Sequence, residues 1–580
     1  MDPASIFART RTPAFARYLA DLLAEICQID TTPNPDVSVM RRAESAAFDI
    51  LERELRPLPF QGLHLERRPI NPAIAAHPNF SLLHFTKTPD RPQGLPVEQA
   101  YRDRANLLCI LPGQSDRPGG HSVALNSHVD VVAPFFPPRE ENGVMHGRGS
   151  CDDKGAVVAT VAALKVLAEL MPASGLRWNR NVVLMFVIEE EPGGNGSLSL
   201  AMDRDLKKFY DTILVGECTD REIHPANRGA VWYRADLRFP GVSLFEMFAF
   251  VNEELEKEGE AIWTESRHAL FPQRPVQTCH GMIGPFGEHP SRICGDVSFT
   301  IAFEKSPEDK VDALVRDCIN TAVAGYTGKY GDKTKVTDPQ TGKPKVDHHF
   351  DIGRDGNRFV VRVHGSTGHM GSIRENDGAI TKMAWMVRQL VYSRQRLEVL
   401  GGPFLLELAG RPTGETLKLE GGQGFVPTHD IREVMLRMKA AAARGAEAYL
   451  RRLGRPENGA DAVVVTYEKL HNVAFDGDPD SPAMRDAIAA ARACGFWREQ
   501  PVMGWTVSCD SRLFATEYPG MPVLTFGAGK LAHAHADNEQ INLGELRSAV
   551  EFLALFLLRH TGTAQIPENS NTLPNTQTSS

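Results

Sequence analysis

Apolar positions along the chain fall into two rhythms. Leu107 to Leu111, Ser122 to Val132, Asn181 to Ile188 and Thr212 to Gly216 read as strands. Between the second and third of these, Ala156 to Leu170 carries apolar residues at helical spacing with no glycine or proline, which predicts a helix. Strand runs alternating with helical patterns predict a sheet with crossover helices, an α/β fold.

From Asn227 the texture changes. Ala230 to Phe239 and Asp296 to Phe303 read as strands, and Glu246 to Glu260 and Pro307 to Val323 as helices. Gly325 to Asn357, rich in Gly, Lys, Asp and Pro, reads as a mobile surface loop. A second set follows, with strands at Phe359 to His364, Glu415 to Glu420 and Ala462 to Tyr467 and helices at Gly378 to Tyr392 and Asp430 to Leu453. After Asp476 the α/β texture resumes, with a helix from Ser481 to Cys494, a strand from Pro522 to Phe526 and an amphipathic helix from Leu543 to His560. Residues 1–226 and 478–560 are therefore expected to form one α/β domain with a mixed, mostly parallel sheet flanked by helices. Residues 227–477 are an inserted α+β domain, in which 227–356 is an extra insert. Thr561 to Ser580, rich in Asn, Thr, Ser and Pro, is expected to be disordered.

The chain has 580 residues, 42% of them hydrophobic, which is enough for large cores and too long for one compact domain. A net charge of −9 and a pI near 6.1 supply no basic field for nucleic acid or an anionic membrane, so a small soluble substrate is the default partner. Nine cysteines without a Cys-x-x-Cys pair point to reduced thiols. Met1 to Asp30, with Arg9, Arg11 and Arg17 among short apolar stretches, reads as an amphipathic helix rather than a signal peptide, and the protein as cytoplasmic. No stretch approaches the roughly 20 apolar residues that cross a bilayer, the most apolar helix being the short Val550 to Leu558.

Imidazoles and carboxylates cluster around the predicted strand ends. Side chains alternate along a strand, so His128 and Asp130 project the same way, one able to bind a metal and the other to orient its ring. Asp130, Glu191 and Glu217 fall at or just past the carboxyl ends of strands, where open α/β sheets form their crevice. Asp152 lies in the run Gly147-Arg148-Gly149-Ser150-Cys151-Asp152-Asp153-Lys154-Gly155. These groups suit a two-metal hydrolytic site. Alternatives stand beside several of them. His533 competes with His535 as a ligand, Glu189 with Glu190 as a base, and Arg512 has Asp510 as a ready partner. Glu217 has the alternative of a solvated surface carboxylate, and His369 that of an ordinary loop histidine.

Five motifs in order carry a resemblance: His128-x-Asp130, the 147–155 run, Glu190-Glu191 followed by Gly193 and Gly196-Ser197, Gly216-Glu217, and His535-Ala536-Asp537-Asn538-Glu539. The chain resembles the zinc-dependent exopeptidase and deacylase family of acetylornithine deacetylase, succinyl-diaminopimelate desuccinylase, glutamate carboxypeptidase, carnosinase and aminoacylase. The resemblance implies a catalytic domain at 1–226 and 478–560 and an enlarged lid or dimerisation domain at 227–477. It implies two zinc ions, replaceable by cobalt or manganese. His128 and Glu217 would hold one ion, Glu191 and His535 the other, and Asp152 would bridge them. Asp130 would bond the far nitrogen of His128, Glu190 would be the general base, and the Asp152–Asp153 peptide would be cis. In Gly365-Ser366-Thr367-Gly368-His369, His369 would stabilise the oxyanion, often across a homodimer. Arg512 would grip a substrate carboxylate, and Gly527 and Gly529 would let backbone approach the substrate. At Gly424-Phe425-Val426-Pro427 glycine stands where the family usually has asparagine.

These features make a two-zinc hydrolase of a small peptide or N-acyl amino acid the expected activity, exopeptidase or dipeptidase first and deacylase as the alternative. A catalytically silent metal-binding or assembly protein is the alternative of another class. A phosphoesterase is disfavoured by the lack of an arginine or lysine cluster.

Overall fold

The computed structural model describes residues 1–114, 119–288, 290, 292–337, 342–368, 370, 377–409, 416–455, 457–467 and 471–565. One six-stranded sheet has the spatial order His64–Pro69, Ala105–Leu111, Val182–Val187, Val123–His128, Thr212–Gly216, Val523–Phe526. The last four strands are mutually parallel, and Ala105–Leu111 alone runs against the other five. The central strands are buried on both faces, which accounts for their apolar character. The predicted strand from Ser122 to Val132 stops at His128, where the chain turns out of the ladder.

The helix Lys154–Ala173 lies on the sheet, and Leu543–Thr561 packs against both it and Pro482–Cys494. Lys154–Ala173 is long and apolar enough to cross a bilayer, contrary to the expectation that no segment is, and 72% of its most apolar window is buried inside the protein. Its apolar residues meet the sheet on one side and outer helices on the other. The N-terminus forms two helices, Pro3–Thr10 and Pro13–Cys27, where the sequence predicted one. Asp2 and Thr12 cap them, and a proline opens each.

A second core lies between residues 226 and 465. Its two antiparallel sheets run Thr278–Ile283, Leu417–Phe425, Gly229–Leu237, Val463–Thr466 and Phe350–Asp355, Arg358–His364, Asp296–Phe303, Phe404–Leu408. The helices Leu244–Glu265, Asp309–Tyr330, Ala379–Tyr392 and Ile431–Arg452 complete it. Residues 227–356 are not an appendage to this unit. Gly229–Leu237 pairs with Leu417–Phe425, and Asp296–Phe303 lies between Arg358–His364 and Phe404–Leu408. The expected loop from Gly325 to Asn357 contains the end of a helix and the edge strand Phe350–Asp355. The chain enters and leaves the unit side by side, Asn227 pairing with Phe475 and Ala226 with Asp476.

At the other end, Thr563–Gln565 pairs with Leu176–Trp178 instead of joining a disordered tail, while 566–580 lie outside the described residues.

Candidate metal centre

Strand ends and loops converge at the carboxyl edge of the six-stranded sheet. Val123–His128 delivers His128, the turn after Val182–Val187 delivers Glu189 to Glu191, and Thr212–Gly216 delivers Glu217. Asp152 comes from the loop before Lys154–Ala173, and His535 from the loop after Val523–Phe526.

Asp152 stands between the two imidazoles. Its Oδ1 is 3.3 Å from His128 Nε2 and its Oδ2 is 3.4 Å from His535 Nε2, which also lies 3.0 Å from Glu191 Oε1. Donor atoms of His128, Asp152 and Glu217 lie within 4.8 Å of one another, and so do those of Asp152, Glu191 and His535. Two three-residue cradles thus share one carboxylate. None of the five residues is more than 7% exposed.

The cradles fit divalent cations. His128 Nε2 is buried and makes no hydrogen bond of regular geometry. Burial pushes Glu217 well above the ordinary carboxylate range and raises Glu191, because several acidic groups share a dry space. Bound cations would supply the missing positive charge, and a set of imidazole and carboxylate donors suits zinc, with cobalt or manganese able to substitute.

The surroundings orient each donor. His128 Nδ1 is 3.0 Å from the backbone carbonyl of Asp130 and 3.5 Å from its carboxylate. A proton on Nδ1 donated to that carbonyl leaves the Nε2 lone pair facing the cradle. The nearest partner of the ring is thus the Asp130 main chain, with the expected Asp130 carboxylate slightly farther away. The Asp130 carboxylate instead accepts the N–H groups of Glu190 at 3.1 Å and Glu191 at 3.0 Å.

The three consecutive glutamates separate cleanly. Glu189 is buried, accepts from Tyr101 Oη at 2.6 Å and pairs with Arg104 Nη1 at 2.5 Å, while Arg104 also grips Glu44. This buried chain holds Glu189 at φ 62, a left-handed conformation rare for a non-glycine residue. Glu191 enters the cradle. Glu190 alone of the three is partly exposed, and burial followed by the neighbouring Asp510 carboxylate pushes it well above the usual range.

Glu539, the last residue of the His535-to-Glu539 motif, acts on the Asp152 loop. Its Oε1 accepts the N–H groups of Gly149, Cys151 and Asp152, each at 3.0 Å, and its Oε2 meets Arg148 Nη1 at 2.5 Å. One buried carboxylate therefore shapes the loop that presents Asp152. The Asp152–Asp153 peptide is cis.

Several expected contacts look different in three dimensions. Arg512 is buried, and its Nη2 donates to the Gly193 carbonyl at 2.9 Å, close to the Glu190 turn. A Cβ on Gly527 would lie 2.1 Å from the Glu217 carbonyl, and one on Gly529 2.7 Å from Cys151 Sγ, so a side chain at either position would press on the loops that carry Glu217 and Asp152. His369 lies outside the described residues. The adjoining Thr367 Oγ1 is 3.3 Å from Asp537 Oδ2. From the same unit the buried Arg292 ion-pairs with Asp537, two residues past His535, and with Glu288. Sequence reasoning missed Arg292, because no pattern near it marks a contact across the two units. Gly424 leaves space that the Arg228 guanidinium fills: an added Cβ would lie 2.2 Å from Arg228 Nη1, which donates to the Pro275 carbonyl at 3.0 Å.

A parallel-sheet α/β unit carrying two carboxylate-bridged cradles, interrupted by an antiparallel unit, is the architecture of a metallohydrolase. A sequence model of peptidase family M20/M25/M40 matches residues 124–559, more than half of the chain, and the protein belongs to that family. Among curated proteins it is similar to a probable carboxypeptidase of Emericella nidulans, 33% identical over 150 residues, 23% of this chain and 34% of that protein. It is also similar to a probable carboxypeptidase of Trichophyton verrucosum, 32% identical over 152 residues, 24% of this chain and 30% of that protein. The chain thus spans about a third of the length of the curated relatives it matches. Among solved structures, human carnosine dipeptidase 1 superposes with a TM-score of 0.55 at 13% identity, covering 97% of this chain and 100% of that one. The Saccharomyces cerevisiae dipeptidase Dug1p does so with a TM-score of 0.55 at 14% identity, covering 97% and 98%. At that identity the likeness speaks for the fold.

Proposed function

We propose that the protein is a two-zinc metallohydrolase that cleaves the amide bond of a small peptide, acting as an exopeptidase or dipeptidase. The observation that carries this reading is the Asp152 carboxylate set between His128 and His535, with the partly exposed Glu190 beside the pair. His128 and Glu217 would hold one ion, Glu191 and His535 the other, and Asp152 both. When bound, such ions lower the pKa of a water towards about 7 and polarise the scissile carbonyl.

Glu190 takes the proton of the attacking water and returns it to the leaving amine as the C–N bond breaks. The Asp130 carboxylate and the Glu189–Arg104 pair fix the turn from which it works. His369 is assigned to the oxyanion and Arg512 to a substrate carboxylate, while Arg292 ties the inserted unit to the loop that carries His535. A homodimer belongs to the same reading.

An N-acyl amino acid presents the same amide to the same groups, and the names of the curated relatives favour a peptide. A panel of dipeptides and N-acyl amino acids, assayed with zinc, cobalt and manganese in turn, separates the two. The expected result is the highest kcat/KM on a dipeptide, with Glu190→Gln retaining metal and losing about 10²- to 10⁴-fold in turnover. Full activity of that variant defeats the proposal.

A further inference from the structure

The inserted unit carries a second convergence of metal-ligating side chains, remote in sequence from the hydrolytic centre. Arg358–His364 buries Phe359, Val361 and Val363 and turns His364 to the outer face of its sheet. Asp296 lies directly opposite His364 on one neighbouring strand. On the other, Asp351 pairs with Arg362, two residues from His364 and on the same face. His348, just before the edge strand Phe350–Asp355, completes the group.

The geometry converges on one atom. His364 Nε2 lies 2.9 Å and His348 Nε2 3.0 Å from the same oxygen, Asp351 Oδ2. The two rings are 4.7 Å apart and steeply inclined at 69°, so they approach edge to face. Ligand atoms of His348, Asp351 and His364 all lie within 4.8 Å of one another. Behind them, His364 Nδ1 is 2.7 Å from Asp296 Oδ1, which fixes the ring with its other nitrogen towards Asp351. A carboxylate holding the far nitrogen of a ligating imidazole is the usual outer support of a zinc ligand.

We infer that His348, Asp351 and His364 form a second-unit site for a divalent transition-metal ion, zinc by donor type, with Asp296 as the positioning carboxylate. Two imidazoles and one carboxylate suit zinc, whereas magnesium and calcium favour sites made of oxygen alone. Zinc–donor bonds of about 2.0 to 2.2 Å place tetrahedral neighbours roughly 3.3 Å apart, so the two nitrogen–oxygen separations open by only a few tenths of an ångström to admit the ion. Water takes the fourth position on this solvent-facing surface. The bound ion ties the segment that precedes the edge strand to the neighbouring strand of the sheet.

The test is zinc stoichiometry on the full-length protein. Wild type, His348→Ala and His364→Ala, purified alike with their bound metal, are equilibrated with excess zinc chloride, freed of loose ion and analysed for zinc per chain. Wild type is expected to retain one zinc more than either variant, with dipeptide hydrolysis the same in all three. Asp296→Asn is expected to weaken the extra site roughly tenfold in competition with a chromophoric chelator. His348 lies outside any strand or helix, so its variant keeps the comparison clear of folding. Equal zinc in wild type and His348→Ala overturns the inference, whatever the hydrolytic centre holds.

Discussion

The Oε1 atom of Glu539 lies 3.0 Å from the backbone nitrogen of Asp152, a buried carboxylate holding the main chain of the residue shared by both cradles. Because the same oxygen also takes two further N–H groups, the loop has one shape only while that side chain accepts. Glu539→Gln keeps the volume but weakens acceptance and breaks the charge pair with Arg148. Metal affinity, measured against a chelator, is expected to fall about 10- to 100-fold. Unchanged affinity would show that the loop holds itself.

Neighbouring glutamates should fail in opposite ways. Glu189 sits in a buried chain with Arg104 and Tyr101, so Glu189→Ala takes one of two carboxylates from the buried arginine and leaves Glu44 to hold its charge. Losing a buried hydrogen-bonding partner costs about 1–3 kcal/mol, to be read as a lower unfolding midpoint in denaturant. Glu190→Gln, at a partly exposed position, is expected to unfold like wild type while losing turnover. A stable Glu189→Ala variant contradicts this division of labour.

Asp510 should set the acid limb of activity. Burial holds Asp510 up to about 6, and after burial it is the main influence raising Glu190. The base works ionised, so kcat/KM falls as pH drops through the Glu190 pKa. Asp510→Asn removes a negative neighbour, makes ionised Glu190 easier to form, and moves the acid limb to lower pH. A limb that stays put or moves up excludes this coupling.

Gly527→Ala tests the contact between the last parallel strand and the Glu217 loop. Its Cβ would lie 2.1 Å from the Glu217 carbonyl, so one of the two backbones must shift. A stability loss of about 1–3 kcal/mol together with weaker metal retention is expected. Loss of stability alone, with metal retained, would confine the contact to packing.

The catalytic unit was legible because buried strands and the core helix write their environment into apolar runs, and because the donor residues sit at the ends of those strands. Other elements hide. The helix Val37–Leu55 buries Met40, Ala47, Phe48 and Leu51 at helical spacing, yet Glu44 on that same face is paired with Arg104, which masks the stripe. The edge strand Phe350–Asp355 alternates partly buried with exposed residues and reads as loop. No local pattern announces Arg292, which reaches from the other unit to Asp537 beside His535. Contacts between distant segments leave no periodic trace.

Anomalous diffraction at the zinc edge, from crystals of the purified protein, tests the central claim most directly. The account predicts two peaks at the sheet edge, one about 2.0–2.2 Å from donor atoms of His128, Asp152 and Glu217 and the other equally close to Asp152, Glu191 and His535. A single peak there, or none with zinc supplied in excess, contradicts it.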